Sequence, residues 1–156
     1  MGRYYISQNG YLKLYQEFLG ISNQIGEINK KMGESAKRDN DLRENPEFME
    51  LRVKAMYELP RKRDELWQKY NAAIIIQEMQ EYKQFDGTDV IIGAKVTLEF
   101  NGEECTYVIL GNDEGDLENN ILSCEAPLSK AIINRKEGEI IQFGKNTIKI
   151  LKVEQY

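Results

Sequence analysis

"RDNDLRENPEF", residues 38–48, sets a cluster of charge between two long amphipathic stretches. Asp39, Asp41, Glu44 and Glu47 fall close together and are interleaved with Arg38 and Arg43. Asn45-Pro46 reads as a helix start, with asparagine as cap and proline at the first helical position, where its missing N–H costs nothing. The stretch is therefore a turn, and the segments on either side of it decide the architecture.

Upstream, Tyr11, Leu14, Phe18, Ile21, Ile25, Ile28 and Met32 alternate in steps of three and four, the spacing of a heptad seam. Ser7 stands where a helix cap is needed. Gly20, Gly26 and Gly33 lie off the seam and weaken the helix by up to about 1 kcal/mol each, so a partner must supply packing. Downstream, Phe48, Leu51, Ala55, Leu59, Leu66, Tyr70 and Ala73 follow a looser helical spacing and provide that partner. Pro60 removes one backbone hydrogen bond and predicts a kink. A joint of about ten residues makes the two helices an antiparallel hairpin. About 28 residues at about 1.5 Å each give a rod of about 40 Å, with the acidic stretch at its far end.

The second half changes period. "GAKVTLEFNGEECTYVIL" is two strand-like runs joined at Asn101-Gly102, a strong hairpin signal. "NNILSCEA" reads as a further strand, "PLSKAIINR" as a short helix opened by Pro127, and "GEIIQF" and "NTIKILKVEQY" as the last two strands. The fold class is α+β in two domains: a helical hairpin over 1–75, a connector over 76–90 and a compact strand-rich domain over 91–156.

Composition narrows the chemistry. The 156 residues include no histidine, which excludes His-based triads and zinc sites. No apolar run reaches the length of a membrane span, and the N-terminus has no apolar signal core. Cys105 and Cys124 form no CxxC and read as reduced, buried thiols of a cytosolic protein. Residues 1–75 carry 13 Lys and Arg against 11 Asp and Glu, while residues 76–156 carry 8 against 15. Halves of opposite sign are expected to meet different partners.

The turn pattern, together with "GAKVTLEF", "GNDEGD" and "EAPLSKAIINRKEGEII", resembles the bacterial GreA/GreB transcript-cleavage factors over nearly the whole chain. The resemblance implies an antiparallel coiled coil that enters the secondary channel of RNA polymerase. It implies an FKBP-like C-terminal domain that grips the channel rim through Glu125 and Pro127. It also implies a cytoplasmic, monomeric accessory factor that stimulates the polymerase to cut the backtracked 3′ end of nascent RNA. Asp41 and Glu44 are then the catalytic carboxylates, helping to hold a weakly bound Mg²⁺ of the polymerase active site; the protein itself binds no cofactor stably. Arg38, Arg43 and Arg52 contact RNA or the channel wall. Three features depart from the family pattern: Ala126 in place of the usual serine, Asn134-Arg135 in place of the usual Gly-Lys, and Pro60 within the second helix.

The residue types suit that chemistry. Mg²⁺ takes hard oxygen ligands and keeps several waters, so one or two carboxylates suffice when another enzyme completes the site. Asp41 and Glu44, three apart, share one side of a turn or helix start. The same Asp-Leu-Arg-Glu spacing also fits a capping pattern. Glu47 suits the positive end of the second helix, with Phe48 closing the hairpin. Asp113, Glu114 and Asp116 form an acidic loop that reads as turn chemistry or a weak Ca²⁺ loop, with EF-hand spacing absent. Two other functions fit the architecture, a channel-plugging polymerase inhibitor and an FKBP-like folding helper; intact tip acids speak against the first, and a lack of aromatic pocket residues against the second.

Overall fold

A computed structural model describes residues 2–38, Arg38 by its backbone alone, and 46–156. The chain divides into two units, Leu12–Ala72 and Met1–Tyr11 with Ala73–Tyr156.

The helical unit follows from the heptad. Helix α1 spans Gln8–Arg38. Leu14, Ile21, Ile28 and Ser35, each seven residues from the next, are buried, with the remaining seam residues half-buried. Ser35 is fully buried and extends the seam beyond Met32, a position whose polarity hid it from the apolar pattern. The glycines at 20, 26 and 33 face open space. The partner is α2 (Pro46–Val53), a π-helical turn (Lys54–Glu58) and α3 (Leu59–Ala72). Ile21, Ile28, Ala55 and Leu59 form the core, flanked by Ile25, Met32, Leu51 and Leu66. Phe18 meets Trp67 with ring centroids 5.1 Å apart, and Tyr15 meets Tyr70 at 5.5 Å. Positions rise on one helix as they fall on the other, so the pair runs antiparallel. The irregularity expected from Pro60 takes the form of the π-turn just before it, where the Leu59 N–H reaches back five residues to the Lys54 carbonyl.

The sheet unit holds a five-stranded sheet in the order β5-β4-β3-β7-β6. Its strands are β3 (Ala94–Phe100), β4 (Glu103–Leu110), β5 (Ile121–Ser123), β6 (Ile140–Phe143) and β7 (Asn146–Gln155). All pairs are antiparallel except β4 with β5. Asn101 (φ 52°) and Gly102 (φ 88°) make the tight β3–β4 turn, since both central positions need the left-handed region. Helix α5 (Pro127–Ile132) places Ile132 in a core with Val96, Leu98, Ile109, Ile148 and Ile150.

The unit boundaries differ from those the sequence predicts. Strand β1 (Tyr4–Ile6) pairs in parallel with β2 (Ala73–Ile75), so residues that precede the hairpin belong with the sheet. The stretch 76–90 is structured: a 3₁₀ turn (Ile76–Glu78) and α4 (Gln80–Lys83) lie within it, and Ile76 and Val90 are both fully buried. The Tyr82 side chain bonds the Tyr156 carbonyl, and Gln155 Nε2 donates to the Tyr82 carbonyl at 2.6 Å. Periodicity over three or four residues is too short to reveal such strands and turns, which exist only because distant segments pair with them.

Candidate functional site

Helix α1 begins inside the sheet unit, and its first turn shows how that start is fixed. A helix leaves its first four N–H groups without intrahelical partners. Ser7 Oγ accepts from the Gly10 N–H at 3.0 Å, confirming Ser7 as the cap. In a capping box the glutamate that accepts the cap residue's own N–H comes from three residues further on. Here that position is Gly10, and the carboxylate comes from Glu114. Its Oε2 accepts from the Ser7 N–H at 2.8 Å and from the Gly111 N–H at 2.8 Å, and its Oε1 accepts from Ser7 Oγ. A Cβ at Gly10 would run into Glu114 Oε1 and Ile6 Cγ1, and one at Gly111 into the Tyr5 carbonyl. Both glycines are therefore required by the approach of loop 111–114 to the start of α1. Asn112 adds two bonds: its Oδ1 accepts from the Tyr5 N–H at 2.9 Å, and its own N–H donates to the Tyr5 carbonyl at 3.0 Å. Tyr4 Oη donates to Asp113 at 2.9 Å, and Asn119 Nδ2 donates to Asp116 at 2.6 Å. The acidic loop is turn and docking chemistry, as its spacing suggests, but the sequence alone did not identify Glu114 as the partner of Ser7. A serine cap with glycine where a capping-box glutamate belongs was the available signal.

Of the residues expected to carry chemistry, Asp41, Arg43 and Glu44 lie outside the described residues, as does the side chain of Arg38. Helix α1 ends at Arg38 and α2 begins at Pro46, so the described helices bracket residues 39–45 in sequence. Glu47 sits in the first turn of α2, where a negative charge complements the helix dipole, and Arg52 in its last. Arg52 is exposed and Phe48 half-buried. Among the described residues, no three His, Cys, Asp or Glu side chains gather as a metal site, and no helix is long and apolar enough to cross a membrane.

The β5–α5 corner carries the other expected contacts. Ser123 organises it: its Oγ donates to the Asn112 carbonyl at 2.7 Å and accepts from the Glu125 N–H at 3.2 Å, while buried Ser129 donates to the Ser123 carbonyl at 2.7 Å. Glu125 pairs with Lys130 at 3.1 Å, both side chains exposed. Pro127 occupies the first position of α5, after Ala126 in extended backbone without a side-chain cap. Asn134 holds φ 68°, a left-handed conformation that asparagine adopts more readily than most non-glycine residues. Arg135 pairs with Glu139 at 3.7 Å. Cys105 and Cys124 are free thiols. Burial, with the Glu125 charge adding to it, pushes the Cys124 thiol up to about 11, which keeps it protonated and inert.

Residues 86–155 match the family described as transcription elongation factor GreA/GreB, C-terminal. By sequence the chain is 32% identical over 155 residues to the transcription elongation factor GreA of Neorickettsia sennetsu, covering 96% of this chain and 94% of that one. It is 32% identical over 140 residues to the GreA of Mycoplasmoides gallisepticum, covering 88% and 84%. Among solved structures, GreA factor homolog 1 of Thermus thermophilus is similar at 17% identity and a TM-score of 0.43, covering 98% of this chain and 99% of that one.

Proposed function

Because this chain belongs to the GreA/GreB family of transcription elongation factors, we propose that it binds RNA polymerase and stimulates cleavage of backtracked nascent RNA. The 32% identity to a transcription elongation factor GreA across nearly the whole chain carries this reading. The antiparallel helix pair supports it, because its two helices flank residues 41–45 in sequence and the second begins with the motif's Pro46-Glu47-Phe48. In this reading the pair is a coiled coil that enters the secondary channel, and the sheet unit is an FKBP-like domain that holds the rim with Glu125 and Pro127. The protein is an accessory factor, not an enzyme in its own right.

Asp41 and Glu44 offer two hard carboxylates at three-residue spacing. That donor set suits Mg²⁺ but is too small to hold it alone, since Mg²⁺ gives up its waters reluctantly. Bound among the polymerase's own carboxylates and the RNA phosphates, the ion would activate water for in-line attack on the phosphodiester. One of Asp41 and Glu44 would then lean on the metal while the other orients the attacking water, and Arg38, Arg43 and Arg52 would draw the RNA backbone by charge.

An RNA-cleavage assay on stalled polymerase complexes tests the reading. Adding the protein is expected to accelerate 3′-end cleavage and to lower the half-saturating Mg²⁺ concentration. The protein alone should cleave nothing. Unchanged cleavage in its presence refutes the function; faster cleavage with an unmoved Mg²⁺ dependence refutes the metal role and leaves water or RNA positioning.

A further inference from the structure

The second helical strand of the hairpin changes heptad frame across the π-turn. In α3, Leu59 and Leu66 lie seven apart on the packed face, with Arg63 and Tyr70 half-buried between and beyond them. Continued backwards without interruption, that frame falls on Met56, Arg52 and Met49. The residues packed with the α1 core are instead Ala55 and Leu51, each one position earlier, and Phe48, one before Met49, is half-buried. The π-turn at Lys54–Glu58 absorbs the difference, because a turn closed over five residues inserts one residue into an α-helix.

The residues displaced from the frame remain apolar. Met49 is 42% exposed and Met56 52%, with Val53 beside them at 46%. This half of the helix therefore carries two apolar faces, about 100° apart about its axis, the rotation of one residue. Only one can pack at a time. Arg52, at the heptad position between the two methionines, has a long apolar stem that can lie along the seam while its guanidinium stays in water. Pro60 decides between the faces. In an unbroken α-helix its ring would clash with the carbonyl of Met56, and it has no N–H to offer that carbonyl. Widening the preceding turn removes the clash, so proline and π-turn belong together.

We propose that residues 46–58 form a two-register element, in which Pro60 holds Leu51 and Ala55 against α1 and loss of its constraint rotates Met49 and Met56 toward the packed face. Glu47 and Arg52 turn with the helix, so the register sets which of their faces the strand presents.

The five methionines of the full chain supply the probes. With ¹³C-methyl methionine, a soluble paramagnetic agent should broaden the Met49 and Met56 methyls strongly in the native protein. In Pro60→Ala the helix can continue unbroken. Both methyls are then expected to gain protection together, by about 3-fold or more, while Met79 in the sheet unit is unchanged. In a second variant, Pro60→Ala with Met56 deleted, the helix continues unbroken with no extra residue to absorb; Met49 should stay exposed and the Tm should rise by several degrees, about 3–8 °C. Native-like broadening of Met49 and Met56 in a folded Pro60→Ala protein would overturn the proposal. So would a fall in Tm on deleting Met56 in the Pro60→Ala background, because the packed face would then depend on the extra residue.

Discussion

Along α1 the buried residues recur at every seventh position, Leu14, Ile21, Ile28 and Ser35, whereas the bonds that fix the start of the same helix join residues 107 and 109 positions apart, Ser7 to Glu114 and Tyr4 to Asp113. The helical unit is stabilised by repetition: about every second turn buries a seam residue, mostly apolar, so loss of one weakens the helix pair without redirecting it. The start of the helix is placed by a few polar contacts, each with one geometry. Repetition supplies cohesion, and directional bonds supply position.

The largest expected effect separates the two roles by activity. Asp41→Ala should reduce stimulated RNA cleavage on the order of 100-fold, the upper range for losing a metal-site partner, while affinity for polymerase is retained. Glu125→Ala should weaken polymerase binding and restore cleavage at saturating protein. Loss of binding in the Asp41 variant would mean that the acidic turn is structural.

Next comes the boundary of the sheet unit. A fragment beginning at Ile91 lacks Ile76 and Val90, both fully buried, and each such side chain contributes about 1.5–3 kcal/mol. That fragment should show no cooperative thermal transition, whereas one beginning at Ala73 should melt cooperatively. Equal melting of both would return 76–90 to the status of a connector.

A smaller effect sharpens the polar side of the comparison. Glu114→Ala leaves the Ser7 and Gly111 N–H groups without their acceptor, at a cost of about 2–3 kcal/mol. Amide exchange at Ser7, Gly10 and Tyr11 should accelerate, while the amides of residues 18–28 keep their native protection. Uniform acceleration along α1 would show that cap and seam unfold as one. Gly10→Ala should mimic the loss, because the added methyl meets the same carboxylate.

The smallest effect concerns pH. The Cys124 thiol is raised from its ordinary value of 9.0 to about 11 in the fold, so unfolding releases its proton first. Its contribution to stability is complete below the ordinary thiol value and declines as pH rises from there towards about 11. A Cys124→Ala variant should lose that part of the alkaline decline, measured by urea melts across the range. In the native protein, alkylation at neutral pH should modify half-buried Cys105 well before Cys124.

The sequence by itself determined the pair of antiparallel helices, because a seam repeated along α1 fits only one face of one kind of helix, and Pro46 marks where the second helix begins. It determined the Asn101-Gly102 turn as well, since few residue pairs accept two positive φ angles. The motif offered Asp41 and Glu44 as a candidate site, and both lie outside the described residues. Tertiary structure alone decided that residues 2–11 belong with the sheet, that Glu114 completes the cap of Ser7, and that the hairpin changes frame before Pro60. Periodicity is a local property and survives in one dimension. A strand of three residues, a carboxylate 107 positions from its partner and a one-residue change of register take their meaning from what lies opposite them, which only the folded chain supplies.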